Sequence, residues 1–263
     1  MSSPAPAPFD EAARRRHLIA AEDRALDLLD RIAALGLIAP GRTERAVERD
    51  IQALAAAEFG VTRHWHKRIV RAGANTLATA SDNPPVRVIG DDDIVFLDLG
   101  PVVGAWEADV GYSHALGADP VRHALCAALP RQFDAVAAHF RADPDISGAD
   151  LYAFACASAA AAGWRFGGRI AGHVVAEFPH AHLPGGKAAN RIAPDNPGRL
   201  RDPDGNGRRR HWILEIHLID PSGTFGGFYE RLIRDDAEQP ASPRTPLSAV
   251  RSAPSGSGHW PPD

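Results

Sequence analysis

From Phe9 to Leu35 apolar residues recur at helical spacing, with Leu18, Ala21, Leu26, Leu29 and Ile32 on one stripe. Gly36 follows as a C-cap. Thr43 reads as the N-cap of a second helix that carries Val47, Ile51, Leu54 and Phe59 on one face. Residues 9–60 therefore read as a helical hairpin. The rhythm then changes. "KRIVRAG" and "VRVI" are short β-like runs separated by the loop "ANTLATASDNPP". "DIVFLDLG" and "VVGAWEADVGYS" read as consecutive strands joined by a turn at Gly100-Pro101. Asp119-Pro120 opens a helix reaching about residue 142, with Pro130 expected to kink or split it. Ser147 and Asp150 form a capping-box pattern for a helix that ends at Gly163. "HWILEIHLID" and "GGFYERLI" predict a hairpin across "PSGTF". Residues 183–210 form a long polar stretch, which in a compact domain reads as a lid or a flexible loop. Residues 1–8 and 237–263 are rich in Pro, Ser and Ala and are expected to be disordered. Residues 9–236 are left as one α/β unit.

Composition narrows the function classes. The formal net charge is -4, which argues against a nucleic-acid partner or an anionic membrane surface. No run approaches the length of a membrane span, and "MSSPAPAPFDEAARRRH" has no apolar stretch after its charges. A soluble cytoplasmic protein is the expectation. The two cysteines, Cys126 and Cys156, sit in Ala-rich helical stretches and read as small core residues.

Five polar residues interrupt apolar strands: Asp98, Asp109, His173, Glu215 and Glu230. A buried carboxylate is costly unless a cation or hydrogen bonds compensate it. By strand alternation Asp98 shares a face with Phe96 and Ile94, and Glu215 with Ile213 and His217. Asp98 and Asp109 alone would read as acids ending a hairpin. With the other three, four carboxylates and an imidazole suit a pair of divalent ions about 3.5–4 Å apart. Such a pair lowers the pKa of bound water and stabilises the oxyanion of an attacked carbonyl.

The order Asp98, Asp109, His173, Glu215, Glu230, with His180 seven residues after His173, is similar to the pita-bread metallopeptidases. These include methionine aminopeptidases, Xaa-Pro aminopeptidases, prolidases and creatinase. "IVRAGANT" resembles their segment before the first Asp, and the likeness spans roughly residues 10–235. The resemblance implies an α/β (α+β) pita-bread fold, a curved antiparallel sheet with outer helices. It implies two divalent metal ions, with Mn, Co, Zn and Fe all open. Asp98 would be a bidentate ligand of one metal, and His173 and Glu215 would bind the other. Asp109 and Glu230 would bridge. His180 would donate a hydrogen bond to the developing oxyanion or the scissile amide, and Glu215 would shuttle the proton. A metal-bridging hydroxide would attack the carbonyl of a short peptide or related amide. Dimers are common in such folds, so a homodimer is compatible with the resemblance.

The sequence also departs from the family pattern. A further His usually lies in the loop before the first Asp, where this chain has Thr79, Ala80 and Ser81. The usual "GHGIG" is "GHVVA", and the Pro after the first Glu is Ile216. The spacing from Glu215 to Glu230 is short, and the N-terminal domain of prolidases is expected to be replaced by the helical hairpin alone. A metal centre is kept while the substrate apparatus is altered, so the alternatives are a non-catalytic binding module and a metal-dependent enzyme of a non-peptide metabolite. In "RHWHKR" a second metal site through His64 and His66 is disfavoured against a connection with Trp65 in the core. His217 reads either as a support for a ligand or as a plain buried histidine. Arg199, Arg201, Arg208, Arg209 and Arg210 read as a solvated loop, with an anion-binding lid as the alternative. Glu107 shares a strand face with Asp109 by alternation and, with no assigned role, reads either as a support for a ligand or as a residue at a solvated edge.

Overall fold

The structure, a computed structural model, describes residues 10–180 and 186–234. Both expected disordered ends, with the domain borders at Phe9 and 235–236, lie outside the described residues. Helix α1 spans Glu11–Ala34 and is capped by Asp10, whose carboxylate accepts from the Ala13 amide. Helix α2 spans Glu44–Phe59. Thr43 caps it through its hydroxyl, as the sequence predicts, and Gly60 ends it at φ +68°. Helix α3 (Pro120–Ala142) starts behind Asp119 and runs through Pro130 without being split. Helix α4 (Gly148–Ala161) starts at Ser147, whose hydroxyl donates to Asp150 and accepts from its amide.

The strands are β1 (Ile69–Ala72), β2 (Ile94–Leu99), β3 (Val102–Val103), β4 (Trp106–Glu107), β5 (Val110–Ala115), β6 (Arg165–Phe166) and β7 (Gly172–Val175). After the short helix α5 (Gly186–Ala189) follow β8 (Arg191–Ile192), β9 (His211–Ile219) and β10 (Gly226–Leu232). One antiparallel sheet runs β1-β2-β5-β10-β9-β7-β8, with β6 paired to β9 beside this path. β3 and β4 form a separate two-stranded ribbon.

Alternation gives the sheet two unlike faces. Val95, Leu97 and Leu99 of β2 pack on Leu28 and Ile32 of α1 and Ile51 of α2. Leu214, Ile216 and Leu218 of β9 pack on Leu125 and Leu129 of α3 and Leu151 of α4. Each such buried side chain contributes about 1.5–3 kcal/mol. The residues between them, Phe96, Asp98, Glu215 and His217, are thereby sent to the face opposite α1–α4. Helix α1 is tied to the sheet at its middle by Glu22, which accepts from the Leu232 amide at 2.6 Å and from Arg234 Nε at 2.6 Å.

Three local expectations are corrected. "VRVI" forms no named strand: Val88 makes one bridge to Thr43, and Ile89 exchanges backbone hydrogen bonds with Gly41 and Arg42. It is an extended segment held by the α1–α2 linker. "VVGAWEADVGYS" is three strands, because Gly104 turns the chain at φ +63° between β3 and β4. Trp65 is half-buried and lines a cavity, with its indole N–H donating to the Ala108 carbonyl at 3.1 Å. Both cysteines are half-buried and unpaired.

Candidate metal centre

The five predicted residues converge because their strands share a register. Asp98 of β2 pairs with Gly111 of β5, Gly111 with Glu230 of β10, and Glu230 with Glu215 of β9. Paired residues in a sheet point the same way, so this row places three carboxylates on the face opposite α1–α4. Gly111 is the gap in the row. A Cβ there would lie 2.6 Å from the Phe228 ring and 2.9 Å from Glu230 Cβ. Asp109 precedes β5 by one residue, and His173 enters from β7.

The distances define a compact cluster. His173 Nε2 lies 3.1 Å from Asp109 Oδ2 and 3.7 Å from Oε1 of both Glu215 and Glu230. One trio that could hold an ion is Asp109, His173 and Glu230. The other is His66, Asp98 and Asp109, so Asp109 is common to both. Glu215 stands outside these trios but within reach of His173. His66, which the sequence pattern disfavours as a metal residue, is the candidate that pattern misses: its Nε2 is 3.2 Å from Asp109 Oδ1 and 3.4 Å from Asp98 Oδ1. Only two histidines spaced two apart hint at it.

Electrostatics pull these groups apart. Burial raises Asp98 to about 6, with His66 opposing and Asp109 adding to the rise. Burial likewise raises Glu215 to about 7, opposed by His173 and helped by Asp109 and Asp98. Glu230 is raised strongly by burial and by Asp109. Asp109 is held low against burial by His66 and His173. Glu230 Oε2 is buried with no hydrogen-bond partner. A buried carboxylate oxygen without a donor is expensive, and a cation is the compensation this donor set fits.

His180 sits beside this cluster. Its backbone N–H donates to Glu107 Oε1 at 2.8 Å, and its Nδ1 donates to Glu107 Oε2 at 2.7 Å. Glu107 is buried, so the residue without an assigned role is the clamp on His180. His217 touches no carboxylate and donates from Nε2 to the Thr76 carbonyl at 2.8 Å, steadying the turn at Gly73–Leu77. It lines the cavity over this cluster beside the Phe96 and Phe228 rings.

A cavity of about 720 Å³ opens over the cluster. Ile69, Phe96 and Phe228 form its apolar floor, and Thr79, Ala80 and Ser81 lie in its wall. Lys67, Arg169, Lys187 and Arg191 also line it. None of the five arginines of the proposed lid does. Arg199 pairs with Asp145, Arg201 donates to the Phe140 carbonyl, and Arg210 donates to the Asp202 and Pro203 carbonyls.

An antiparallel sheet with helices on one face and a carboxylate–imidazole cluster on the other is the pita-bread architecture of the metallopeptidases. The model of metallopeptidase family M24 matches residues 16–201, and the chain belongs to that family. No curated protein matches the chain. Among solved structures it is similar to a prolidase from Thermococcus sibiricus at 18% identity and a TM-score of 0.65, covering 86% of this chain and 60% of that one. An X-Pro aminopeptidase from Thermotoga maritima follows at 16% and 0.62, covering 84% and 58%. A methionine aminopeptidase from the same organism matches at 14% and 0.60, covering 86% and 94%. The chain thus spans about 60% of the length of the prolidase and X-Pro aminopeptidase. Among the described residues no helix is long and apolar enough to cross a membrane.

Proposed function

We propose that this chain is a metal-dependent hydrolase that cleaves the first residue from a short peptide, or opens an amide resembling one. The observation that carries the reading is the shared trio geometry: two candidate ion sites joined through Asp109 on the floor of a cavity. In this reading Asp98, Asp109, His173, Glu215 and Glu230 hold two divalent ions, which supply activation of water and positive charge for the developing oxyanion.

The chain's own residues do the rest. Glu215, which lines the cavity with its Oε1 3.7 Å from His173 Nε2, would pass the proton from the attacking water to the leaving amine. His180, with Nδ1 tied to Glu107, keeps Nε2 for the substrate carbonyl or amide in the cavity it lines. The Ile69, Phe96 and Phe228 floor suits a small apolar side chain and excludes water. Lys67, Arg169, Lys187 and Arg191 suit the carboxylate end of a dipeptide. Protein loaded with Co or Mn should cleave members of a panel of Xaa-Pro dipeptides, other dipeptides and aminoacyl amides, and Asp98→Ala and Glu230→Ala should abolish this. Absence of turnover across the panel by metal-loaded wild type would sink the hydrolase reading.

A further inference from the structure

His66 is held at the cluster by backbone pairing rather than by a strand of the main sheet. Val102 N–H donates to the Arg63 carbonyl at 2.9 Å and Trp65 N–H donates to the Gly100 carbonyl at 2.9 Å. This lays residues 63–65 along the chain just after β2. Gly100 then makes room for the ring: a Cβ there would stand 2.2 Å from His66 Cδ2 and 2.3 Å from Nε2. No residue other than glycine fits at 100 with His66 in place.

The ring is oriented as metal-binding imidazoles are. His66 Nδ1 lies 2.6 Å from the Lys67 carbonyl and donates to it, which leaves Nε2 directed at Asp98 and Asp109. His173 repeats the arrangement. Its Nδ1 donates to the Val174 carbonyl at 2.8 Å, and its Nε2 faces Asp109 Oδ2. The two Asp109 oxygens therefore each face one imidazole nitrogen. Two ring nitrogens with the same backbone anchor on opposite sides of one carboxylate are the donor set of two ions rather than of one.

We propose that His66 Nε2 is a further protein ligand of this centre, on the ion that Asp98 and Asp109 hold, so that each of the two ions carries one imidazole. The inference rests on the two-ion reading above and adds to it. It has a consequence for metal choice. Carboxylate-only surroundings suit Mn, whereas an imidazole moves the preference toward Zn, Co and Fe. The Asp98 side of the centre should therefore discriminate against Mn more strongly with His66 than without it.

The test uses metal-free full-length protein titrated with Co and, separately, with Mn by calorimetry, and Zn-loaded protein analysed by X-ray absorption. Wild type should take up two ions and show two imidazoles per ion pair. His66→Ala should show one imidazole and lose at least about 100-fold in Co affinity for one ion, a direct ligand being worth no less than a group that orients one. The Mn-to-Co affinity ratio at that ion should rise. Gly100→Ala keeps the imidazole but puts a methyl where the ring lies, and it should lose the same ion. Two ions in wild type with an unchanged imidazole count and unchanged Co affinity in His66→Ala would overturn the inference and leave the two-ion reading standing. A folded wild type that takes up no ion would overturn both.

Discussion

Gly111→Ala tests the packing that places the carboxylate row. The added Cβ would meet the Phe228 ring at 2.6 Å and Glu230 Cβ at 2.9 Å, where carbon atoms rest at about 3.5–4.0 Å. Strand β10 has little freedom to retreat. The Ser113 hydroxyl donates to the Phe228 carbonyl at 2.9 Å and accepts from its amide at 2.7 Å, and the Phe228 ring packs on Phe96 at 5.5 Å between centroids. Two effects compete. Replacing Gly by Ala stiffens the unfolded chain and stabilises by about 0.4–1 kcal/mol where the backbone permits it. Overpacking costs about 1–3 kcal/mol. The second is larger, so the net change is destabilising, and at roughly 2–4 °C per kcal/mol Tm should fall by several degrees. Thermal unfolding of metal-free wild type and variant, followed by circular dichroism, reads this directly. A Tm equal to or above that of wild type would refute the claim that Phe228 and Glu230 close the space over Gly111.

Three other outcomes follow from the geometry. Glu107→Gln should lower kcat on the best substrate of the panel by about 100-fold while leaving metal uptake intact, because His180 loses a charged acceptor for Nδ1; an unchanged kcat would remove Glu107 from the mechanism. His211 is depressed to about 2 by burial and by Arg14, Arg15 and Arg209 against the Glu11 contact, and its Nδ1 accepts from Arg15. Its folded pKa lies below its unfolded one, so the stability it lends is present above about 6.5 and is lost as pH falls, at up to about 1.4 kcal/mol per pH unit. Urea unfolding at pH 7 and pH 5 should show a smaller acid loss in His211→Gln than in wild type, and equal losses would contradict the assignment. Adding Co to chelator-stripped protein at 100 times its Kd should stabilise the fold by about 2.7 kcal/mol, and Glu230→Gln should blunt the rise in Tm; an unmoved Tm in wild type would deny a folded-state ion site.

Much of the site is legible in the sequence because of contrast. Asp98, Glu215 and Glu230 stand out as single acids in apolar strands, and alternation alone assigns each of them a face. Register is not legible: that Asp98, Gly111, Glu230 and Glu215 fall in one row depends on pairings between strands far apart in the chain. His66 is hidden for a related reason. It lies in a polar stretch with no period, and its position is set by hydrogen bonds to residues 100–102 and by the bare backbone of Gly100. Alternation along one strand does not apply to Glu107 and Asp109, because Glu107 ends β4 and Asp109 lies between β4 and β5, and the partner of Glu107, His180, reaches it from 73 residues away. The β3–β4 ribbon merges into its neighbour because Gly104 sits in an otherwise strand-like run.

The row of acids also guards the assembly of the sheet. A slip of one residue in β9 would turn Glu215 onto the face where Leu214 and Ile216 meet Leu125 and Leu129 of α3 and Leu151 of α4. The same slip in β10 would send Glu230 the same way. A lone carboxylate in such a core is penalised by several kcal/mol, so misaligned sheets are rejected before any ion arrives. The residues gathered for chemistry thus act earlier as alignment marks, and removing several of them at once should broaden the set of registers that the folding chain can adopt.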